Sequence, residues 1–125
     1  MTEQINQNLT DDQKQVLFHG ATEAPGTGQL LHNDKTGSYT CANCGHELFK
    51  SDTKFDSGSG WPSFYKPSET DAVELIDDSS LGMQRTEVRC KTCGGHLGHL
   101  FNDATDQPTG QRFCINSASL DFKQK

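Results

Sequence analysis

Two cysteine pairs constrain this chain more than any other feature. Cys41-Ala42-Asn43-Cys44-Gly45 and Cys90-Lys91-Thr92-Cys93-Gly94 share the form C-x-x-C-G, with 45 residues between Cys44 and Cys90. A C-x-x-C turn followed by glycine brings two thiolates to one side of an ion, and two such turns supply the four soft donors that tetrahedral zinc takes. Cys41, Cys44, Cys90 and Cys93 are therefore expected to bind one structural zinc, with no coordination position open to a substrate. Two separate redox pairs, or four inert buried thiols, are the weaker alternatives.

The rest of the composition makes such a staple necessary. Leu, Ile, Val and Phe together supply 23 of 125 residues, just under the roughly 20% below which disorder becomes a rival to folding. A structural zinc can contribute on the order of 10 kcal/mol of folding free energy, comparable to the whole stability of a small domain. The length fits one domain, expected over residues 10–125, after a disordered tail over residues 1–9.

Charge removes several function classes. The formal net charge is −6, and four thiolates around Zn²⁺ would take it to about −8. No basic stripe offsets this, so a nucleic-acid partner, including the zinc-ribbon kind, is disfavoured. No apolar run reaches membrane-spanning length and the first residues show no export pattern, so the expectation is a cytoplasmic protein without membrane association. A monomer is the default in the absence of a long apolar stripe.

Thr10-Asp11-Asp12-Gln13 has the form of a capping box, and Gly20 offers a stop, so a short helix is expected over residues 11–19. Beyond it the chain reads as short strands, at residues 38–41, 47–49, 73–76, 83–90, 97–101 and 111–116, each bounded by Gly, Asp or Pro. The cluster at residues 77–82 reads as a turn. The expected fold is mainly β, with two antiparallel sheets forming an open barrel-like core, a short N-terminal helix and the zinc site.

Cys114 is left over once the metal is satisfied. It lies in Arg112-Phe113-Cys114-Ile115-Asn116-Ser117, where a period of two sends Phe113 and Ile115 to the core and puts Arg112, Cys114 and Asn116 on the opposite face. A guanidinium favours thiolate over thiol, so the expectation is a cysteine with a lowered pKa, the setting of a nucleophile. A lone cysteine is equally compatible with a small buried apolar residue. His96, His99 and Asp103 follow the second knuckle and offer proton donors, with Asp103 available to orient an imidazole. Either histidine is also compatible with a spare ligand or a turn brace. Trp61, the only tryptophan, ends the glycine-serine run of residues 57–60 and is suited to lie against an apolar ligand or against the core.

Taken together, Gly58-Ser59-Gly60-Trp61-Pro62-Ser63-Phe64, Gly94-Gly95-His96-Leu97-Gly98-His99 and Arg112-Phe113-Cys114-Ile115-Asn116-Ser117, arranged around two C-x-x-C knuckles, resemble the B-type peptide methionine sulfoxide reductases. The resemblance runs from about Leu9 to Phe122. It implies two antiparallel sheets with small helices, a structural zinc, and thiol-dependent reduction of the R epimer of methionine sulfoxide in oxidised proteins or peptides, or in the free amino acid. Under it Cys114 becomes the nucleophile, His96, His99, Asp103, Arg112 and Asn116 its catalytic surroundings, and Trp61 and Phe113 the substrate-binding residues.

Two positions depart from the family pattern. Many members carry a second cysteine in the glycine loop where this chain has Ser59, so no resolving cysteine remains. Recycling is expected to fall to an external thiol such as thioredoxin, glutathione or a glutaredoxin. Gly26 stands where an aromatic residue is common, which is expected to loosen the N-terminal arm. The competing reading from another class is a non-catalytic zinc module that binds a peptide or protein. Reductases acting on disulfides or peroxides rank below both.

Overall fold

The computed structural model describes residues 9–24, 26, 28–78 and 85–124. The helix expected from the capping box is α1, Asp11–His19. Its cap is reciprocal: Gln13 N–H donates to Thr10 Oγ1 at 3.2 Å, and Thr10 N–H donates to Gln13 Oε1 at 2.9 Å. Gly20 ends it in the left-handed conformation, which glycine adopts at little cost. Val16 and Leu17 are buried, and α1 rests on the strand that follows the second knuckle.

Among the described residues nine strands follow: β1 Gly37–Cys41, β2 Glu47–Lys50, β3 Lys54–Phe55, β4 Ser63–Phe64, β5 Val73–Asp78, β6 Arg85–Cys90, β7 His96–Phe101, β8 Arg112–Ile115 and β9 Leu120–Gln124. They form a three-stranded sheet, β2-β1-β9, and a six-stranded sheet, β3-β4-β8-β7-β6-β5. Every pairing is antiparallel. The mainly β fold of two antiparallel sheets is as expected, but the sheets do not close on one another, so the barrel-like description does not apply.

Six expected strands are present, the one at residues 83–90 being described from Arg85 onward. Three strands had no apolar alternation to announce them. β3 and β4 are two residues each, and β9 carries Lys123 and Gln124 at an exposed edge, held only by its register against β1. Asp77 and Asp78, expected to open a turn, instead end β5 in register with Thr86 and Arg85; the rest of that cluster, residues 79–82, and the tail at residues 1–8 lie outside the described residues. Leu9, assigned to that tail, is instead 7% exposed and packs in the core.

The core is small and aromatic. Phe49 stacks on Phe64 with ring centroids 4.4 Å apart, Tyr39 meets Phe64 edge-on at 5.0 Å, and Phe113 packs against Phe49 at 5.9 Å. These rings come from both sheets, so the contact between sheets is largely one cluster. The two knuckles make the second link: the first joins β1 to β2 and the second joins β6 to β7, so the cysteines tie the small sheet to the large one.

Candidate active site and metal centre

The two knuckles are near copies in backbone bonding. Cys41 N–H donates to His46 O and Gly45 N–H to Cys41 O, both at 2.9 Å; Cys90 N–H donates to Gly95 O at 2.9 Å and Gly94 N–H to Cys90 O at 2.8 Å. Gly45 and Gly94 take φ of 79° and 78°, which is why glycine stands fifth in each motif. The four Sγ atoms lie within 4.8 Å of one another, with Cys41 to Cys93 at 3.6 Å and Cys44 to Cys90 at 3.5 Å. A tetrahedral zinc with bonds near 2.3 Å needs sulfurs roughly 3.8 Å apart. The donor set therefore fits a four-coordinate thiophilic cation.

Without a cation the four thiols cannot ionise together. Hydrogen bonding to Cys90 and Cys93 drives the Cys41 thiol far up; Cys90, although its hydrogen bond to Cys41 lowers it, is pushed up to about 12 by its hydrogen bond to Cys93 and by burial. Cys93, accepting from Cys41 and Cys90, is driven down. A divalent cation would take the place of these shared protons and gather the sulfurs around itself.

Cys114 lies apart from this set, in the middle of the large sheet. Its register partners are Ser63 on β4 and His99 on β7. As the alternation predicts, Phe113 and Ile115 face the core at 3% and 0% exposure, while Arg112 and Cys114 are half-buried on the other face. That face opens on a cleft of about 180 Å³ lined by Trp61, His99, Phe101, Arg112, Cys114 and Asn116, with Ser59 at its edge.

Several assigned residues take other places. Phe113 does not line the cleft: strand alternation commits its ring to Phe49 in the core, and Phe101, two residues beyond His99 on β7, supplies the aromatic wall instead. Arg112 lies over that ring at 4.4 Å. Asp103 orients no imidazole. Its carboxylate accepts two bonds from Arg112, at 3.0 and 3.1 Å, and the guanidinium holds it below the usual carboxylate range. His96 stands outside the cleft and behind His99, the two rings 5.5 Å apart and edge-on.

The carboxylates that do hold the histidines escaped the sequence reading. Glu87 Oε2 lies 2.7 Å from His96 Nδ1, and Asp78 Oδ2 lies 2.8 Å from His99 Nε2. Arg89 and Arg85 brace these two acids at 2.9 and 3.4 Å. Glu87 and His99 are register partners on adjacent strands, a proximity invisible without the pairing. Burial holds the His96 imidazole below the ordinary histidine range, with Glu87 opposing.

The thiol itself also differs from expectation. Burial pushes Cys114 above the ordinary thiol range and outweighs the Ser59 hydroxyl and the Arg112 guanidinium, which pull it down. Arg112 acts in the direction foreseen, but the resting group is a thiol. Ser59 Oγ lies 3.9 Å from Cys114 Sγ and begins a chain of hydroxyls, Ser59 to Ser57 at 2.8 Å and Ser57 to Ser63 at 2.7 Å, that ends where Ser63 donates to Trp61 O at 3.1 Å. Each hydroxyl has one proton, so with Ser63 donating to Trp61 O the chain runs from Ser59 to Ser57 to Ser63 and Ser59 receives the S–H of a thiol; with the chain reversed, Ser63 turning its proton to Ser57, Ser59 donates to a thiolate.

The remaining wall is held by backbone. Asn116 is 3% exposed, with its Nδ2 donating to Leu97 O at 3.0 Å. Trp61 Nε1–H donates to Glu23 O at 2.9 Å. Gly26, expected to loosen the N-terminal arm, takes φ 79° and donates to Gly60 O at 2.8 Å, so the loop is tied there by a backbone bond.

Fold and site thus define a mainly β protein with a four-cysteine metal centre linking its sheets and a fifth cysteine held separately in a half-buried cleft. Residues 9–124 match the SelR domain family. A peptide methionine sulfoxide reductase MsrB of Leifsonia xyli subsp. xyli is 55% identical over 97% of this chain and 87% of its own length. Proteins of the same name from Photorhabdus laumondii and Leptospira interrogans are 57% and 53% identical, over 94% and 98% of this chain and 86% and 93% of their own lengths. The chain belongs to this family, the B-type methionine sulfoxide reductases, and with it to the oxidoreductases. Among the described residues no helix is long and apolar enough to cross a membrane.

Proposed function

We propose that this chain reduces methionine-R-sulfoxide in oxidised proteins and peptides through Cys114, and that zinc held by Cys41, Cys44, Cys90 and Cys93 serves the fold alone. The observation that carries the reading is the position of Cys114: the one cysteine outside the metal set, on the cleft face of β8, with His99 as register partner and Trp61, Phe101 and Arg112 around it. A non-catalytic zinc module has no use for that arrangement.

The chemistry needs a sulfur nucleophile and an acid. The sulfoxide sulfur is electrophilic, and its oxygen leaves only as it is protonated. Cys114 gives its proton to His99 Nδ1 and attacks the substrate sulfur, forming an S–S bond; the sulfoxide oxygen then takes that proton, and the S–S bond breaks as the hydroxyl passes to Cys114. Methionine and a Cys114 sulfenic acid result, with the thiol oxidised by two electrons and the sulfoxide reduced by two. Asp78 holds His99 Nε2, leaving Nδ1 as the atom that carries the proton. Arg112, fixed by Asp103 and laid on Phe101, favours the charged forms of Cys114. Trp61 and Phe101 take up the apolar methyl and methylene groups of the substrate.

The sulfenic acid is resolved by an external thiol. With Ser59 near the nucleophile and four cysteines given to metal, an attacking thiolate of thioredoxin, glutathione or a glutaredoxin forms a mixed disulfide and releases water, and a second thiol restores Cys114. The setting that suits this chemistry is the reducing cytoplasm, and the working unit is a monomer.

One turnover tests the reading. Protein treated with one equivalent of sulfoxide in the absence of reductant, then with a sulfenic-acid trap, carries the trap on Cys114 alone when mapped by mass spectrometry. A disulfide between Cys114 and another cysteine of the chain contradicts external resolution, and an unmodified Cys114 contradicts the reaction.

A further inference from the structure

Glu23 makes four hydrogen bonds that meet at the cleft, yet its side chain does not line it. Its backbone N–H donates to Asn116 Oδ1 at 3.0 Å, and its carbonyl accepts Trp61 Nε1–H at 2.9 Å. Its carboxylate takes Ser117 N–H on Oε1 at 2.7 Å and Ala118 N–H on Oε2 at 3.3 Å. One residue thus holds the tryptophan wall from β4's approach and the asparagine wall from the end of β8.

The side chain anchors this arrangement. The turn over residues 116–119 follows the nucleophile strand directly, and a carboxylate on two of its N–H groups makes charge-assisted bonds, roughly twice as strong as neutral ones. The enclosure is tight: a Cβ at Gly28 would run into Glu23 Oε1 and Ser117 Oγ. Leu30 N–H also donates to Ser117 Oγ at 3.2 Å, and Gly26 N–H to Gly60 O at 2.8 Å. The loop is therefore laced to both sides of the cleft, with Glu23 at the crossing.

We propose that Glu23 is a positioning residue that fixes the gap between Trp61 and Asn116, and so sets how tightly the sulfoxide side chain is bound without touching the reacting atoms. This rests on the reductase reading for its kinetic consequence but not for its structural one. Because Trp61 is the only tryptophan, its fluorescence reports the wall directly.

The test compares Glu23→Ala and Glu23→Gln with the zinc-loaded full chain. In Glu23→Ala the indole emission moves to the red and becomes more open to acrylamide quenching, and KM for a methionine sulfoxide peptide rises about tenfold while kcat stays within about twofold. Glu23→Gln, which keeps an acceptor but loses the charge, falls between. Unchanged emission and quenching in both variants overturns the proposal, as does an equal loss in kcat and kcat/KM with tryptophan undisturbed. If Glu23→Ala does not fold, Glu23→Gln decides by the same two readings. A wild-type chain that reduces no sulfoxide sinks the reductase reading, and the fluorescence comparison still decides the hold on Trp61.

Discussion

His99 and Cys114 are register partners on β7 and β8, so the proposed acid and nucleophile are fixed by sheet pairing rather than by flexible loops. Their relation depends on Gly98. The backbone of β8 lies so close that a Cβ at Gly98 would overlap the Cys114 carbonyl. A side chain there must push β7 and β8 apart. Gly98→Ala is expected to lose activity by at least about tenfold, because small misplacements at a reacting centre cost that much or more. Zinc content should stay at one per chain, since a Cβ at Gly98 would meet the backbone of β8 and none of the four metal cysteines. Steady-state kinetics with metal analysis checks both.

Ser59 is expected to act as a donor to the Cys114 thiolate. The resting thiol sits above its ordinary range because burial dominates, with Ser59 and Arg112 opposing. Alkylation of Cys114 should therefore rise with pH above neutrality, and Ser59→Ala should move the rise to still higher pH. An unmoved profile would remove Ser59 from the account.

Metal removal should cost the fold itself. The knuckles join the two sheets, and structural zinc binding contributes on the order of 10 kcal/mol. A chelator strong enough to strip the centre is expected to abolish the cooperative thermal transition followed by circular dichroism, and added Zn²⁺ to restore it. Cys44→Ala should behave like the stripped protein even though Cys44 lies outside the cleft.

His96 gives stability a pH dependence of known sign. Its folded pKa is depressed by burial, so the unfolded chain takes up the proton more readily. Its contribution is present above the unfolded value of about 6.5 and is lost as pH falls through that value toward the lower folded one. Between pH 7.5 and 5.5 the melting temperature should fall more steeply in the wild type than in His96→Gln. Equal slopes would show that His96 does not titrate on unfolding.

Much of this was legible in the residues, for reasons that can be named. The knuckles carry their own spacing, the Thr10–Gln13 capping box and Gly20 mark both ends of α1, and alternation along β8 separates Cys114 from Phe113. What stayed hidden depends on partners distant in sequence. Asp78, Glu87 and Glu23 are ordinary surface-type acids until β5, β6 and the loop before Gly28 bring them to His99, His96 and the turn after Asn116. Asp103 was misread for the same reason, because nearness in sequence to His99 says nothing of the Arg112 guanidinium across the sheet. Phe101 was within reach: alternation from His99 places it on the cleft face. β3, β4 and β9 are too short or too polar to announce themselves, and their register is set by β8 and β1.

The central claim is that Cys114 reduces one epimer of methionine sulfoxide, and chiral chromatography tests it most directly. Peptides carrying racemic methionine sulfoxide are incubated with the zinc-loaded protein and dithiothreitol, with Cys114→Ser alongside. The account predicts loss of the R epimer alone and no loss of either with the mutant. Persistence of both epimers with folded, metal-bound wild-type protein, or equal turnover by Cys114→Ser, would contradict it.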